Sequence, residues 1–379
     1  MIIKRHVVNV FSSTYYPAVN GLSVVVQLNV RALLDLGFEV NVFTESGGKP
    51  KYSENVLTYQ IKGAGTWISP VNGPDVSRFY RDLVAHDSAG AVNIIHAWHT
   101  WTTTLFYKNI KSIKGSVVLY SHGTSFSTNI KGIKKVLRDI KYLGEKKKIV
   151  NYLSNTNTLI TLTNNVTHFR CFDARIFNKE KRVVIKNPVN ERNQTQVNRD
   201  DDTFIAKYAL LQEPKVFCLS NYEPIKNQEF LIRLCLKFNF HLTLVGSKKT
   251  KYADGLEKMV KNHNLADRVD VLYDKSDSFI VSMFKNSNLF AFASQNDFAP
   301  LVLIEAIKFQ LPFISFYTAD NEIKGGVFCE SQQDYELKFE ELISSEVKIN
   351  ELAAEGKHFY DIHHSFEAFK ANLLATISS

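Results

Sequence analysis

The chain has 379 residues, is 45% hydrophobic and 22% charged, and carries a formal net charge of +8. That length accommodates two or three ordinary domains, and the balance excludes a disordered or low-complexity protein. No apolar run approaches the roughly 20 residues of a membrane span, and the broken apolar start at Met1–Val10 reads as a first strand, not a signal peptide.

The segments alternate between strand and helix type. His6–Phe11 reads as a strand, followed by a turn-rich loop over 12–21 and a helical spacing over Val24–Leu36 that stops at Gly37. Glu39–Thr44, Asn93–Ala97, Ser116–Tyr120, Thr158–Thr163 and Arg182–Ile185 read as further strands. The polar stretch from Asn187 to Asp202 lacks apolar periodicity and reads as an interdomain linker, with Asp200, Asp201 and Asp202 as a solvated acid run. The second half repeats the pattern: strands at Val216–Leu219, His241–Val245, Val269–Leu272, 288–294 and 311–316, and helices at Asn227–Phe238, Leu256–His263 and Ile280–Phe284. A helical, amphipathic tail over Glu351–Ser379 closes the chain. Such alternation predicts α/β domains with parallel sheets.

The four cysteines, at 171, 218, 235 and 329, are scattered without metal-ligand spacing and read as free thiols of a reducing compartment. His96 and His99 lack a nearby third ligand, so they predict residues beside a ligand cleft and no metal site. Neither a Walker A sequence nor the G-x-G-x-x-G dinucleotide fingerprint occurs, which argues against a nicotinamide enzyme. The positive charge predicts an anionic partner, and the absence of zinc-finger, RNP-type or basic-zipper patterns makes nucleic acid the weakest choice.

Chemistry concentrates in 294–306, where Asp297 and Glu305 stand eight positions apart between two apolar strands. In an open α/β sheet the loop after a strand faces the ligand crevice. Pro300 suits the first position of the following helix, whose free N–H groups then offer an anion site. Glu305, inside an apolar run, needs a partner from the protein or a ligand. Lys226, after the strand at 216–219, is a candidate phosphate counter-charge. Asn20-Gly21 opens the first helix, and Ser121-His122-Gly123 ends a strand; a histidine there points into a cleft or bonds backbone, the two readings standing about even. Lys131, Lys134, Lys135, Arg138 and Lys141 lie on a basic amphipathic stretch through Lys148. It fits an anionic membrane surface and an ordinary surface helix equally.

Together these motifs resemble the retaining glycosyltransferases of family 4, also called group 1. The matching residues are Asp297…Glu305 in the E-x7-E pattern, Pro17…Asn20-Gly21, Ile95-His96, Ser121-His122-Gly123, Pro224-Ile-Lys226-Asn227 and Leu244-Val-Gly246. The resemblance implies a GT-B fold: two Rossmann-like open-sheet domains facing a central cleft, an acceptor-side domain over 1–190, a nucleotide-sugar domain over 205–355, and a helix over 356–379 crossing back. It implies transfer of a sugar, with retention and without a metal or cofactor, from a UDP- or GDP-sugar to a glycan or lipid-linked acceptor in surface polysaccharide or lipopolysaccharide synthesis. His122, Lys226 and Asp297 would be catalytic. Gly21, Asn221, Phe298, Ala299, Pro300, Leu301, Val302 and Glu305 would bind the donor with Lys226, Glu305 on the ribose. The expected location is the cytoplasm, or peripherally the cytoplasmic face of the inner membrane. The chain departs from the family where Ser220-Asn221 replaces Gly-Arg, which removes a phosphate-gripping cation that Arg5, Arg170 or Lys248 could replace. That loss motivates the alternative of an inactive GT-B protein that binds a glycan or a partner enzyme. An epimerase or phosphorylase ranks below both.

Overall fold

The computed structural model describes residues 6–18, 20–63, 69–124, 133–189, 191–192 and 199–378, with backbone alone for 133–142 and Phe169. The chain divides into two compact units, one of Met1–Val189 with Phe366–Ser379 and one of Asn190–Ser365. The second unit therefore starts and ends outside the expected bounds of 205 and 355.

In the first unit the strands are β1 (Val7–Phe11), β2 (Glu39–Glu45), β3 (Asn55–Tyr59), β4 (Val92–His96), β5 (Ser116–Tyr120), β6 (Thr158–Thr161) and β7 (Arg182–Val184). The helices are α1 (Gly21–Asp35), α2 (Val76–His86), α3 (Trp101–Lys108), α4 (Ile133–Leu153) and α5 (Phe172–Ile176). All pairings are parallel, in the order β3-β2-β1-β4-β5-β6-β7. Valine and isoleucine dominate the central strands because both faces are covered, which rewards β-branched side chains over alternation. Helix α1 ends as its sequence suggests: Gly37 takes φ 87°, and the N–H groups of Gly37 and Phe38 cap the carbonyls of Leu34 and Leu33.

Asparagines form a hydrogen-bonded row across this sheet. The amide of Asn55 donates to Asn41 (2.9 Å), Asn41 to Asn9 (3.0 Å), Asn9 to Asn93 (3.0 Å), and Asn93 to the carboxylate of Asp87 (2.9 Å). Asn9, Asn41 and Asn93 are buried, so each amide needs these bonds to offset its lost water.

The second unit holds α6 (Arg199–Ala209), β8 (Lys215–Leu219), α7 (Gln228–Leu234), β9 (His241–Gly246), α8 (Lys251–Asn262), β10 (Val269–Tyr273), α9 (Asp277–Asn286), β11 (Leu289–Phe292), α10 (Leu301–Lys308), β12 (Phe313–Phe316), β13 (Gly326–Cys329), α11 (Gln332–Ile343) and α12 (Glu346–His363). Its sheet is again parallel, ordered β10-β9-β8-β11-β12-β13. Phe230, Phe240, Tyr335 and Phe339 pack with Leu242 and Leu244 in its core. Both sheets have the doubly wound order, each with one switch point, between β1 and β4 and between β8 and β11.

Two readings of the tail and linker change. Helix α12 packs on α10 within the second unit, at a close approach where Gly356 meets Gly325 and Ile307. Only the last helix, α13 (Phe366–Ile377), joins the first unit; there Arg31 lies 4.6 Å from the centroid of the Phe366 ring. The acid run is not a solvated linker: it forms the first turn of α6, where carboxylates favour the helix N-terminus. Asp201 is buried and ion-paired with Lys275.

Candidate functional site

In the second unit the loops after β8 and β11 flank the switch point, and they hold each other. The N–H of Gln295 donates to the carbonyl of Ile225 at 2.9 Å. Pro224–Lys226 winds into a single tight turn, and Asn227 takes the left-handed conformation (φ 55°) that lets α7 start immediately. This geometry turns Lys226 towards the neighbouring loop, where its Nζ meets Asp297 Oδ2 at 2.8 Å. Both side chains are about one-fifth exposed, at 20% each. An ammonium has three donors, so Lys226 keeps capacity for an anion while bound to Asp297.

Helix α10 begins beside that pair. Pro300 is its N-cap, one position earlier than the sequence suggests, and supplies no side-chain cap. The N–H groups of Leu301 and Val302 have no acceptor among the described residues, and the helix dipole favours negative charge there. Phe298 is buried, and its carbonyl accepts from Asp320 N–H at 3.0 Å, which fixes the 297–300 loop with Ala299 within it.

Glu305 is buried at 8% exposure on the second turn of α10. Its partner is one that sequence reasoning missed: Arg192 donates from Nη2 to Glu305 Oε2 (2.8 Å) and from Nη1 to Asp277 Oδ1 (2.9 Å). Arg192 stands in the polar stretch read as linker, where no periodicity marks it; only the buried charge of Glu305 signalled that some cation was needed.

Asn221, where the family places arginine, is exposed and neutral. Its Oδ1 accepts from Ser247 Oγ (2.8 Å) and its carbonyl from Gln228 (2.9 Å). Lys248 is exposed beside Ser247, and Arg5 lies outside the described residues.

In the first unit His122 lies between Ser121 and Gly123, whose φ of 83° turns the chain off β5. Asp173, on α5, fixes that turn. It accepts from Ser121 Oγ and from Trp98 Nε1 (2.6 Å), and Ser121 Oγ in turn accepts from Gly123 N–H (3.2 Å). Burial pushes the Asp173 carboxyl up, and the Ser121 and Trp98 donors oppose this. His122 Nε2 lies 3.2 Å from His96 Nδ1, and both rings stack with Tyr120 at centroid distances of 5.1 and 5.0 Å. Burial, and then the charge of Arg170, lowers His122 to about 4; burial, and then His122, lowers His96 well below its ordinary value. At neutral pH both rings are uncharged, and one nitrogen of the shared pair carries the bridging proton. His96 and His99 diverge: His99 faces Glu145 at 3.8 Å. Gly21 is the first residue of α1, capped by Asn20, whose Oδ1 accepts from Ser23 N–H at 3.0 Å. A Cβ at Gly21 would meet nothing within 4 Å, so local packing does not require glycine there.

Lys131 and the side chains of Lys134, Lys135, Arg138 and Lys141 lie outside the described residues. Further along α4, Leu143 and Val150 are exposed at 65% and 51%. Among the described residues, no helix is long and apolar enough to cross a membrane.

Comparison with known proteins agrees with this geometry. Residues 200–357 match the family described as glycosyl transferases group 1. No curated protein matches the chain by sequence. Solved structures do match by fold. The sucrose-phosphate synthase of Thermosynechococcus elongatus has a TM-score of 0.72 at 16% identity, over 97% of each chain. HepE of Anabaena, in complex with UDP and glucose, has a TM-score of 0.68 at 14% identity, over 99% of this chain and 100% of that one. WaaG, a glycosyltransferase involved in lipopolysaccharide biosynthesis, has a TM-score of 0.61 at 14% identity, over 98% and 100%. The 200–357 segment is similar to the group 1 glycosyl transferases, and the chain that carries it has the two-sheet GT-B fold.

Proposed function

We propose that this protein transfers a sugar, with retention and without a metal, from a nucleotide-diphosphate sugar to a glycan or lipid-linked acceptor. The observation that carries the reading is the Lys226–Asp297 pair set at a sheet switch point beside the open N-terminus of α10. A diphosphate fits such a place: backbone N–H groups of Leu301 and Val302 offer donors, and Lys226 adds charge. In this reading the bond between the anomeric carbon and the diphosphate oxygen breaks, and its electron pair stays on the diphosphate. The acceptor hydroxyl oxygen bonds that carbon from the same face, and its proton passes to the departing phosphate. Lys226 and the helix terminus stabilise the charge as it develops. Asp297 orients Lys226 and faces the donor sugar, Glu305 takes the ribose hydroxyls, and the roles of His122 and Gly21 follow the family resemblance.

The acceptor class rests on α4. Exposed Leu143 and Val150 continue the basic stretch of Lys134, Lys135, Arg138 and Lys141, a combination suited to an anionic lipid surface. Surface polysaccharide or lipopolysaccharide synthesis is the setting this supports, at the cytoplasmic membrane face.

The test is turnover of UDP- and GDP-sugars by the wild-type protein and by Lys226→Ala and Glu305→Ala. Loss of one phosphate-stabilising donor costs about 100- to 1000-fold in kcat. No turnover of any donor, or turnover unchanged from wild type in both variants, overturns the proposal. One observation favours a second reading, a binding protein without activity: Asn221 is neutral and held by Ser247 where the family has a cation. Calorimetry separates the two. Nucleoside diphosphate binding that Lys226→Ala abolishes supports the enzyme, and no binding supports the inactive form.

A further inference from the structure

Arg192 sits between two carboxylates. Its Nη2 reaches Glu305 on α10 and its Nη1 reaches Asp277, the first residue of α9. Both Nη groups are thereby engaged by carboxylates, and the cluster of one guanidinium and two carboxylates keeps a net negative charge. Arg192 is thus poorly placed to act as the diphosphate cation missing at Asn221. What it does is hold one oxygen of Glu305. Oε2 is fixed by the guanidinium, while Oε1 makes no hydrogen bond among the described residues. The glutamate side chain is 11% exposed, so a free oxygen on a buried, immobilised carboxylate remains open to a ligand. A carboxylate offers about four lone-pair sites, and a vicinal diol uses two. Lys308, half-buried nearby, has its ammonium lowered by burial, with Glu191 and then Glu305 opposing the shift.

We infer that Arg192 is a positioning residue for recognition of the donor ribose: it sets the rotamer of Glu305 so that Oε1 meets the 2′- and 3′-hydroxyls. This rests on the nucleotide-sugar reading above and adds to it a residue outside the Asp297…Glu305 motif. The effect passes through Glu305, so it falls on discrimination between ribose and deoxyribose. Loss of the bridge affects the diphosphate grip of Lys226 and α10 little.

Calorimetry with UDP, GDP and ADP, and with their 2′-deoxy counterparts, tests this on the full chain. The wild-type protein is expected to bind its preferred ribonucleotide about tenfold more tightly than the deoxy form, the worth of one hydrogen bond to a charged group. Arg192→Met is expected to lose that preference and to raise KM for the nucleotide sugar about tenfold, with kcat changing less than threefold. Arg192→Lys keeps a cation that cannot bridge both carboxylates; it guards against misfolding and is expected to lose most of the preference. Wild-type selectivity retained in both variants, while Glu305→Gln loses it, overturns the role of Arg192 and leaves the nucleotide-sugar reading standing. No nucleotide binding by the wild-type protein overturns both.

Discussion

The stacked histidines of the first unit make a quantitative demand on acid stability. Burial, then Arg170, holds His122 at about 4, against about 6.5 in an unfolded chain. A lowered pKa means that the native state binds fewer protons than the unfolded one across this window. The stabilising contribution is therefore complete above pH 6.5 and is lost as the pH falls towards 4. At pH 5 the unfolded histidine is almost fully protonated and the folded one about a tenth protonated, a difference worth about 2 kcal/mol relative to pH 7.5. All three tryptophans, Trp67, Trp98 and Trp101, belong to the first unit, so their fluorescence in urea reports on that unit alone. The wild-type protein should lose about 2 kcal/mol more than His122→Asn between pH 7.5 and pH 5. His96 remains in both proteins, and burial, the larger cause of its shift, acts on it in both. Equal losses in the two would refute the burial and the Arg170 field as the cause of the shift.

Three further predictions concern the second unit, followed by circular dichroism because it contains no tryptophan. Gly356→Ala would place a Cβ 2.9 Å from Ile307 Cγ2 and 3.0 Å from Gly325 Cα, and overpacking of that kind should cost about 1–3 kcal/mol. Gly255→Ala, exposed within α8 with nothing near its Cβ, should instead stabilise by up to about 1 kcal/mol. Asp201→Ala removes the buried partner of Lys275 and should cost about 3 kcal/mol, the lower end for a broken buried pair because Lys275 is partly exposed. A midpoint unchanged by Asp201→Ala would show that the α6 contact carries no stability.

Much of this was legible in the chain because apolar runs of parallel-sheet type are hard to mistake. The expected strands at 116–120 and 241–245 coincide with β5 and β9 to within a residue. β3 and β13 escaped because Asn55–Tyr59 and Gly326–Cys329 are half-exposed outer strands with apolar runs of only two or three residues. Lys226 and Asp297 were each readable as rim residues of a switch point, since that follows from strand–loop–helix order. Their direct contact was not, because pairing across 71 residues depends on the turn at Asn227. Arg192 and Asp201 were misread for one reason: charge in a polar stretch looks solvated until the tertiary fold brings a buried partner to it. Asp173 left no signal at all, being one carboxylate among many, and only the ends of β4 and β5 show what it holds.

The asparagine row has a consequence for how the first sheet chooses its neighbours. Strands such as Val7–Phe11 and Val92–His96 are nearly interchangeable as oily ribbons, and hydrophobic burial alone would tolerate several arrangements of them. An amide that donates to one side and accepts from the other removes that tolerance. Exchanging two strands, or sliding one by a residue, would strand a buried carboxamide without its mate, at about 1–3 kcal/mol for each group left unpaired. The row also has a direction, running from Asn55 to the Asp87 carboxylate, so it distinguishes left from right across β3-β2-β1-β4. Asn9, Asn41, Asn55 and Asn93 thus act as an address label, written in hydrogen bonds, that tells each ribbon which place in the sheet is its own.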